Sequence, residues 1–354
     1  MNRLTNRQKM IIKKYTLLTV SILLITGIFL SIPSIARALP RSLAEALTRN
    51  PSAVSDETAS EPDRLTALMG DSFTAILGFD YEAEPEIPIL DITEGAKFVQ
   101  AVNLCWYTID EEPQLYLINR TNFSVNLNDF RSNEYPISRE IGSEPTVLIV
   151  HTHGTESYLA PGIDYYTPNE SFRSTDESKT VVAVGKVLAE ELNKRGIVTI
   201  HDTVMHDKDD YSNAYTNSKR AVTEMLKKYP TIKYVIDLHR DAVFTSDGTN
   251  QKPVTAINGQ PAAQVMLVVG TNQGGADHPN WRKNLTVAVA LQETMNRDYP
   301  TLSRPICLRS ASFNQQLSPG YLLLEVGSCG NTIEEAKNAA KLFAAAFAST
   351  IKQN

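Results

Sequence analysis

Cysteine is scarce in this chain, whose 354 residues include only Cys105, Cys307 and Cys329. Three cysteines at these separations exclude a disulfide-stapled fold, and their spacing does not match a cysteine metal site. We therefore expect each to be a small buried hydrophobic residue. Basic residues are not in excess either, because 34 Lys and Arg face 40 Asp and Glu, a formal net charge of −6. That balance argues against nucleic acid as a partner, since its recognition requires a basic surface.

Charged residues are absent from Tyr15 to Ala36, where most positions are apolar, Thr or Ser. A run of about 20 such residues matches the thickness of a bilayer. A basic tail, residues 1–14, precedes it and predicts a cytoplasmic N-terminus, with the rest of the chain outside the membrane. The alternative is a cleaved signal peptide, because Ala36-Arg37-Ala38 loosely resembles a cleavage site. The apolar run exceeds a usual signal core, which favours an uncleaved transmembrane helix over residues 15–36.

The chain lacks internal repeats and low-complexity tracts, and its composition changes in steps after residue 36. Residues 37–89, rich in Ser, Pro, Ala and acids, are predicted to be a linker with short helices. Residues 90–145 are predicted to be a small β-rich region, because β-branched and aromatic residues recur in Gln114–Asn119 and Phe123–Asn126. From residue 146 to 354 strand patterns alternate with helix patterns. This alternation predicts an α/β domain with a mostly parallel sheet and helices on both faces.

The expected helices of this domain follow the period of 3.6 residues in the apolar pattern. They cover Val181–Arg195, which stops at Gly196, and Ala214–Tyr229, which stops before Pro230, followed by Asn284–Arg297 and Glu334–Ile351.

Three predicted strands are followed by side chains that can bind a metal ion or act in catalysis. Val147–Val150 precedes His151-Thr152-His153-Gly154, Tyr234–Leu238 precedes His239, and Leu322–Leu324 precedes Glu325. The carboxyl ends of parallel strands are where α/β proteins hold their ligands. Two histidines with nearby carboxylates are the ingredients of a catalytic zinc site with one open position. We therefore expect a Zn²⁺ site at this edge of the sheet.

The expected metal ligands are His153, Glu177 and His239. His151 and His153 are two residues apart, but the turn at Gly154 separates them, and we expect only His153 to bind. The third position has two candidates. Glu177 opens a helix-forming stretch and is preferred, although a carboxylate there also stabilises a helix N-terminus. Glu156 is the alternative, either as the ligand itself or as a residue that orients a ligand.

The expected catalytic residues are Glu325 and Arg240. A glutamate among Leu324 and Val326 is costly to bury without a partner, so a role as general base beside a metal-bound water explains it. A buried salt bridge is the structural alternative. Arg240 is a candidate for steadying an oxyanion, although it could equally pair with Glu325 or Asp241. The other histidines, His201, His206 and His278, lie in polar sequence and are expected at the surface.

Four segments closely resemble the stage II sporulation protein P family: VLIVHTHGTESY from Val147, HDTVMHDKDDYSNAY from His201, DLHRDA from Asp237 and LLLEVGSCGN from Leu322. The likeness covers about Pro113 to the C-terminus, with the apolar run and acidic linker also in place. That family is distantly similar to the zinc-dependent N-acetylmuramoyl-L-alanine amidases. Those enzymes cut the amide between the lactoyl group of the glycan and the L-alanine of the stem peptide.

The resemblance implies roles for individual residues. The metal ligands of the amidases correspond to His153, Glu177 and His239, and their catalytic glutamate corresponds to Glu325. Arg304 and Asn331 stand where the amidases carry an arginine and an asparagine. The separation of His153 from Glu177 is longer than in the amidases, so Glu156 stays open as the third ligand.

The expected function is that of a membrane-anchored peptidoglycan hydrolase, a zinc-dependent amidase that degrades septal wall and acts in engulfment during sporulation. The resemblance further implies DL-endopeptidase activity, with a lytic transglycosylase and a membrane-anchor protein of the engulfment complex as partners. Two alternatives remain. One is a non-catalytic membrane-tethered scaffold that binds cell wall, and the other is a zinc carboxypeptidase that trims stem peptides.

Overall fold

A computed structural model describes residues 95–106, 114–131, 137–139 and 141–352. The predicted basic tail, transmembrane helix and linker, residues 1–89, lie outside these described residues. Within the described part of the chain, no helix combines the length and apolar character needed to cross a bilayer.

Twelve strands and four α-helices make up the described fold. The strands are β1 (Lys97–Phe98), β2 (Gln100–Val102), β3 (Leu117–Asn119), β4 (Val147–Val150), β5 (Tyr165–Tyr166), β6 (Thr199–His201), β7 (Tyr234–Asp241), β8 (Gln251–Ile257), β9 (Gln260–Ala263), β10 (Val265–Gly270), β11 (Ile306–Arg309) and β12 (Tyr321–Ser328). The helices are α1 (Val181–Lys194), α2 (Ala214–Lys228), α3 (Trp281–Asp298) and α4 (Ile333–Lys352). Short 3₁₀ turns occur at Leu127–Arg131, Glu177–Lys179, Tyr211–Asn213 and Gln315–Leu317.

The central sheet has seven strands in the order β3-β11-β10-β12-β7-β4-β6. Neighbouring strands run parallel except β10 and β12, which are antiparallel. The strands that carry the predicted chemistry, β4, β7 and β12, are adjacent and parallel, so their carboxyl ends meet at one edge. The prediction of an α/β fold with a mostly parallel sheet is confirmed.

Helices cover both faces of this sheet, as predicted, but unequally. On β4, Val147 and Ile149 join the large core with α1, α3 and α4, whereas Leu148 and Val150 join a smaller core with α2. The alternation follows from the period of two along a strand, which sends successive side chains to opposite faces. Because both faces of β4 are buried, its sequence is continuously apolar rather than alternating.

The four predicted helices are present, and their ends differ from the predicted ends by at most a few residues. Helix α1 begins after Thr180, whose side chain accepts a hydrogen bond from the Val182 N–H. It ends before Gly196, which has a positive φ of 72° that glycine adopts without strain.

The described strands of residues 90–145 pair with strands from later in the chain. Strand β1 pairs with β5, β2 with β8, and β3 with β11, so β3 forms one edge of the central sheet. The Phe123–Asn126 stretch, expected to be extended, contains no strand. The strands of this segment thus join sheets whose other strands come from residues after 146.

Candidate active site

His239 and Glu325 are direct neighbours across two parallel strands. In the register of β7 and β12, His239 pairs with Glu325, two positions beyond the pairing of Asp237 with Leu323. Residues two apart on a strand share a face. The sheet therefore places Asp237, His239 and Glu325 on a single face near its carboxyl edge, independently of any loop.

The turn after β4 separates the two histidines of the His-Thr-His-Gly segment. The His153 ring lies 5.4 Å from the His239 ring between centroids. His151 instead contacts Leu238 O with Nδ1 and His201 Nε2 with Nε2, at 3.0 and 2.8 Å. Burial, and next the charge of His201, lower the pKa of His151 to about 3. The structure thus brings His153, and not His151, beside His239.

Gly154 permits this turn. A Cβ atom on residue 154 would lie 2.7 Å from the Met205 Cα, closer than real Cβ contacts. The Met205 backbone therefore packs directly against the turn, and a larger residue at position 154 would require one of the two segments to shift.

The carboxylate beside His239 belongs to Glu156. Its Oε2 accepts a hydrogen bond from the Arg240 backbone N–H at 3.0 Å and lies 3.5 Å from His239 Nδ1. Burial acts to raise the pKa of Glu156, but the hydrogen bond and charge of His239, with that of Arg240, bring it below its usual value. Glu156 is consequently held as a carboxylate at the edge of the sheet.

Glu177, the preferred third ligand, lies elsewhere. It is exposed on the 3₁₀ turn Glu177–Lys179 and forms no ion pair with His153 or His239. The cause is the path of the chain: backbone bridges join Glu156 to Arg173 and Ser157 to Thr180. These bridges turn the loop after His153 inward and leave Glu177 on the outer side. The geometry therefore favours Glu156 over Glu177, and the third ligand stays a prediction.

Asp237 orients His239, a role that sequence inspection missed. It is fully buried, and its oxygens accept bonds from the Thr152 N–H and hydroxyl at 2.9 and 2.6 Å. Its Oδ1 also lies 3.0 Å from His239 Nε2. Burial acts to raise the pKa of Asp237, and the charge of His239 more than offsets this and lowers it. A buried carboxylate behind an imidazole fixes the orientation of the ring.

Glu325 lies in a different environment from Glu156. Its Oε2 is buried and, among the described residues, has no hydrogen-bond partner. Burial, and next the negative charge of Asp241, raise the pKa of Glu325 to about 8. Asp241 is itself paired with Arg304, whose Nη2 donates to Asp241 Oδ2 at 2.8 Å. Two nearby carboxylates with pKa values moved in opposite directions are typical of an acid–base site.

Arg240 supports the site instead of facing it. Its side chain donates to the backbone oxygens of Ser157 at 3.2 Å and Phe172 at 2.7 Å. Its backbone N–H binds Glu156. The expectation that its guanidinium steadies an oxyanion is corrected, because these donors already hold the loop that carries Glu156.

A second network lies on the other side of His153 and was not predicted. Asp207 accepts bonds from the Thr155 hydroxyl at 2.6 Å and Arg173 Nη1 at 2.7 Å, and its Oδ2 is 3.6 Å from His153 Nδ1. Burial acts to raise the pKa of Asp207, but the His153 contact and the Thr155 bonds lower it to about 2. Tyr211 stacks on His153 with ring centroids 4.5 Å apart. The HDTVMHDKDDYSNAY segment supplies both Asp207 and Tyr211.

The other histidines are not surface residues, contrary to expectation. His206 and His278 are buried, and His201 is partly buried against His151. Polar sequence around a histidine did not imply exposure because loops pack over these positions. Of the cysteines, Cys307 and Cys329 are buried as expected. Asn331 is buried as well, and its side chain binds Ser328 N–H and Glu335 at the end of β12.

The structure thus gathers His153, Glu156 and His239, with Asp237 and Glu325 beside them. Within the described ranges, no group of three or more His, Cys, Asp or Glu side chains is arranged so that it could hold a metal ion as it stands. His239 turns Nε2 toward Asp237 and Nδ1 toward Glu156, so Nδ1 is the ring nitrogen on the Glu156 side. Two imidazoles with one carboxylate are a donor set that suits zinc.

Comparison with known proteins identifies the family of this chain. The profile of stage II sporulation protein P matches residues 110–348. The chain belongs to the stage II sporulation protein P family. A curated member, stage II sporulation protein P of Bacillus subtilis (strain 168), is 30% identical over 223 residues. The match covers 60% of this chain and 52% of that relative, so the aligned part spans about half of the relative's length.

Solved structures similar to this family member include N-acetylmuramoyl-L-alanine amidases. The enzyme of Nostoc punctiforme is 13% identical with a TM-score of 0.34, covering 60% of this chain and 97% of that chain. The enzyme of Mycobacterium smegmatis is 12% identical with a TM-score of 0.35, covering 60% of this chain and 96% of that chain.

Proposed function

We propose that this chain is a zinc-dependent peptidoglycan hydrolase that cleaves the amide between the glycan lactoyl group and the stem-peptide L-alanine. The observation that carries the proposal is the pairing of His239 with Glu325 across β7 and β12. It places a candidate metal ligand beside a candidate general base whose Oε2 is buried and unpartnered among described residues. Membership of the sporulation family and the amidase-like segments support the same reaction class.

His153, Glu156 and His239 would hold the zinc ion. The Glu156 carboxylate, kept ionised beside His239 Nδ1, and the His153 ring, 5.4 Å from the His239 ring, support this donor set. A bound zinc ion would supply Lewis-acid chemistry and lower the pKa of a water molecule toward neutrality. Asp237 and Asp207 would orient the His239 and His153 rings, since carboxylates behind metal-bound imidazoles commonly do so.

Glu325 would transfer a proton during hydrolysis. Its Oε2 would accept a proton from the attacking water and then donate it to the leaving amine of L-alanine, so that the amide is split without free hydroxide. A carboxyl group whose pKa lies near 8 without metal holds a proton readily, which suits the donation step. The positive charge of a bound ion would lower this pKa and favour the acceptance step.

Location and partners follow the family and the N-terminal sequence. We propose that residues 15–36 anchor the enzyme in the membrane, with the hydrolase domain outside, where the septal wall lies. Action during engulfment, an added DL-endopeptidase activity and partnership with a lytic transglycosylase and a membrane-anchor protein belong to the same proposal. The family resemblance supports them.

Digestion of purified peptidoglycan tests the reaction. The full-length chain loaded with zinc should release intact stem peptides that begin with L-alanine, identified by mass spectrometry, and the Glu325→Gln variant should not. Stem peptides shortened at their C-terminus would instead indicate a zinc carboxypeptidase. Wall binding without any product would indicate a non-catalytic scaffold.

A further inference from the structure

Arg173 lies at the edge of the candidate site. Its backbone forms an antiparallel bridge with Glu156, so the loop that holds a proposed metal ligand also holds this arginine. Its Nη1 donates to Asp207 Oδ2 at 2.7 Å and to Thr155 Oγ1 at 3.0 Å. The same Asp207 oxygen is 3.6 Å from His153 Nδ1. One carboxylate oxygen therefore connects the guanidinium to the imidazole.

Tyr211 fixes the guanidinium further. The Arg173 Cζ lies 4.4 Å from the centroid of the Tyr211 ring, a cation–π contact. The Tyr211 ring stacks on the His153 ring at an interplanar angle of 15°. Tyr211 is 57% exposed, and 37% of the Arg173 side chain is exposed. The pair is thus held in place by the site and remains open to solvent.

One edge of the guanidinium is available to a ligand. Among the described residues, its hydrogen bonds and its ion pair involve Nη1 only. Nε and Nη2 remain, and together they form the side-on edge that donates two parallel hydrogen bonds to a carboxylate. A guanidinium held in place through Nη1 and Tyr211 loses little freedom when it binds such a group, which favours recognition.

We propose that Arg173, held over Tyr211, binds a free carboxylate of the stem peptide and so positions the scissile amide beside His153. The inference rests on the proposed function, which makes an acidic muropeptide the substrate. The stem peptide continues from the cleaved amide through residues with free carboxyl groups. Asp207 connects Arg173 to His153, so a carboxylate bound at the free edge of this guanidinium would lie close to the proposed metal ligand.

Two synthetic muropeptides test this subsite, one with free stem carboxylates and one with the same groups amidated. Dissociation constants are measured by calorimetry on zinc-loaded full-length protein carrying Glu325→Gln, with Arg173 intact or replaced by Arg173→Gln. Arg195→Gln is the matched control, because Arg195 also pairs with a carboxylate, Glu191, but at the end of α1. Hydrolysis of both muropeptides is followed in the same series with Glu325 intact, together with zinc content.

With Arg173 intact, or with Arg195→Gln, amidation should weaken binding about tenfold, because a charge-assisted bidentate pair is lost. In Arg173→Gln the acid and the amide should bind equally, with zinc retained. An unchanged preference for the acid in Arg173→Gln overturns the subsite, as does loss of zinc, or failure of every chain to bind either compound. If the preference depends on Arg173 but no chain hydrolyses either compound, the subsite stands and the proposed function fails.

Discussion

The third zinc ligand can be decided by removing Glu156 and Glu177 separately. Glu156 contacts His239 Nδ1 and the Arg240 N–H, whereas Glu177 is exposed and forms no ion pair among the described residues. We expect Glu156→Ala to lose zinc and Glu177→Ala to keep a full equivalent. The comparison is matched, since both changes remove one glutamate from the segment between His153 and α1.

The size of the effect follows from these contacts. A residue that only orients a ligand costs roughly 10- to 100-fold in metal affinity, and loss of a direct ligand should cost more than that. Glu156→Ala also leaves the buried Arg240 N–H without an acceptor, which costs about 1–3 kcal/mol of folding stability. Glu177→Ala removes no side-chain hydrogen bond or ion pair seen among the described residues and should change stability by about 0.5 kcal/mol or less. Loss of zinc must therefore be measured separately from unfolding.

Zinc affinity is measured by competition with a chromogenic chelator, and the free energy of unfolding by denaturant titration of the metal-free proteins. A Glu156→Gln variant keeps an acceptor for the Arg240 N–H, so it separates folding from metal binding. Retention of zinc by Glu156→Ala with loss from Glu177→Ala would refute the geometric argument. It would show that the loop around Glu177 moves inward when the ion binds.

The general base, the second histidine and the pH dependence yield three further predictions. His239→Ala should lose both zinc and hydrolysis, and a full equivalent of zinc in the purified variant would remove His239 from the ligand set. Glu325→Gln should keep zinc and fold but lower kcat by about 100-fold or more, and turnover near that of the wild type would exclude Glu325 as base. In chelator-treated protein the pKa of Glu325 is about 8 in the folded state, above the reference value of 4.5. The stabilising effect of Glu325 is therefore fully present below pH 4.5 and is lost as pH rises through 8. Melting curves should therefore show wild type losing stability relative to Glu325→Gln between about pH 5 and 9, and a constant difference would contradict this.

Long amphipathic helices and buried strands were predictable from sequence because their apolar periods persist over many residues. Helix α1 was expected at Val181–Arg195 and lies at Val181–Lys194, and its stop at Gly196 follows from the positive φ there. Strand β7 shows the same agreement, since it is buried over nearly its whole length. In these elements local preference and tertiary burial favour the same structure.

Short strands were not predictable in the same way. Strands β6 and β11 have three and four residues, too few for a period to emerge, and their pairing with β4 and β10 decides their conformation. The β8–β9 hairpin did carry a local signal. Asn258 and Gly259 both have positive φ in its turn, the conformation that Asn-Gly favours between two strands.

The residues of the candidate site show the same difference between what could and could not be predicted from sequence. His239 and Glu325 were identified because strand ends can be located in sequence, and the parallel register then makes them neighbours. Glu156 was only the alternative third ligand and Asp207 was not identified, since each reaches the site through a loop whose path depends on distant contacts. The geometry disfavours Glu177 for this reason: it lies on a 3₁₀ turn before α1, and the position of its carboxylate depends on backbone bridges elsewhere.

The pattern of unsatisfied groups adds an argument that the sequence could not supply. Among the buried polar atoms without a hydrogen-bond partner in the described part of the chain, Glu325 Oε2 is the only carboxylate oxygen. Each such group costs about 1–3 kcal/mol, more when charged, and a core of apolar residues would avoid that cost. Glu325 lies on β12 beside His239 of β7, so this cost falls where the proposed chemistry occurs. A fold that retains this cost at one sheet edge is better explained by a site that binds a cation and substrate than by a scaffold, whose stability would gain from replacing Glu325 with a leucine.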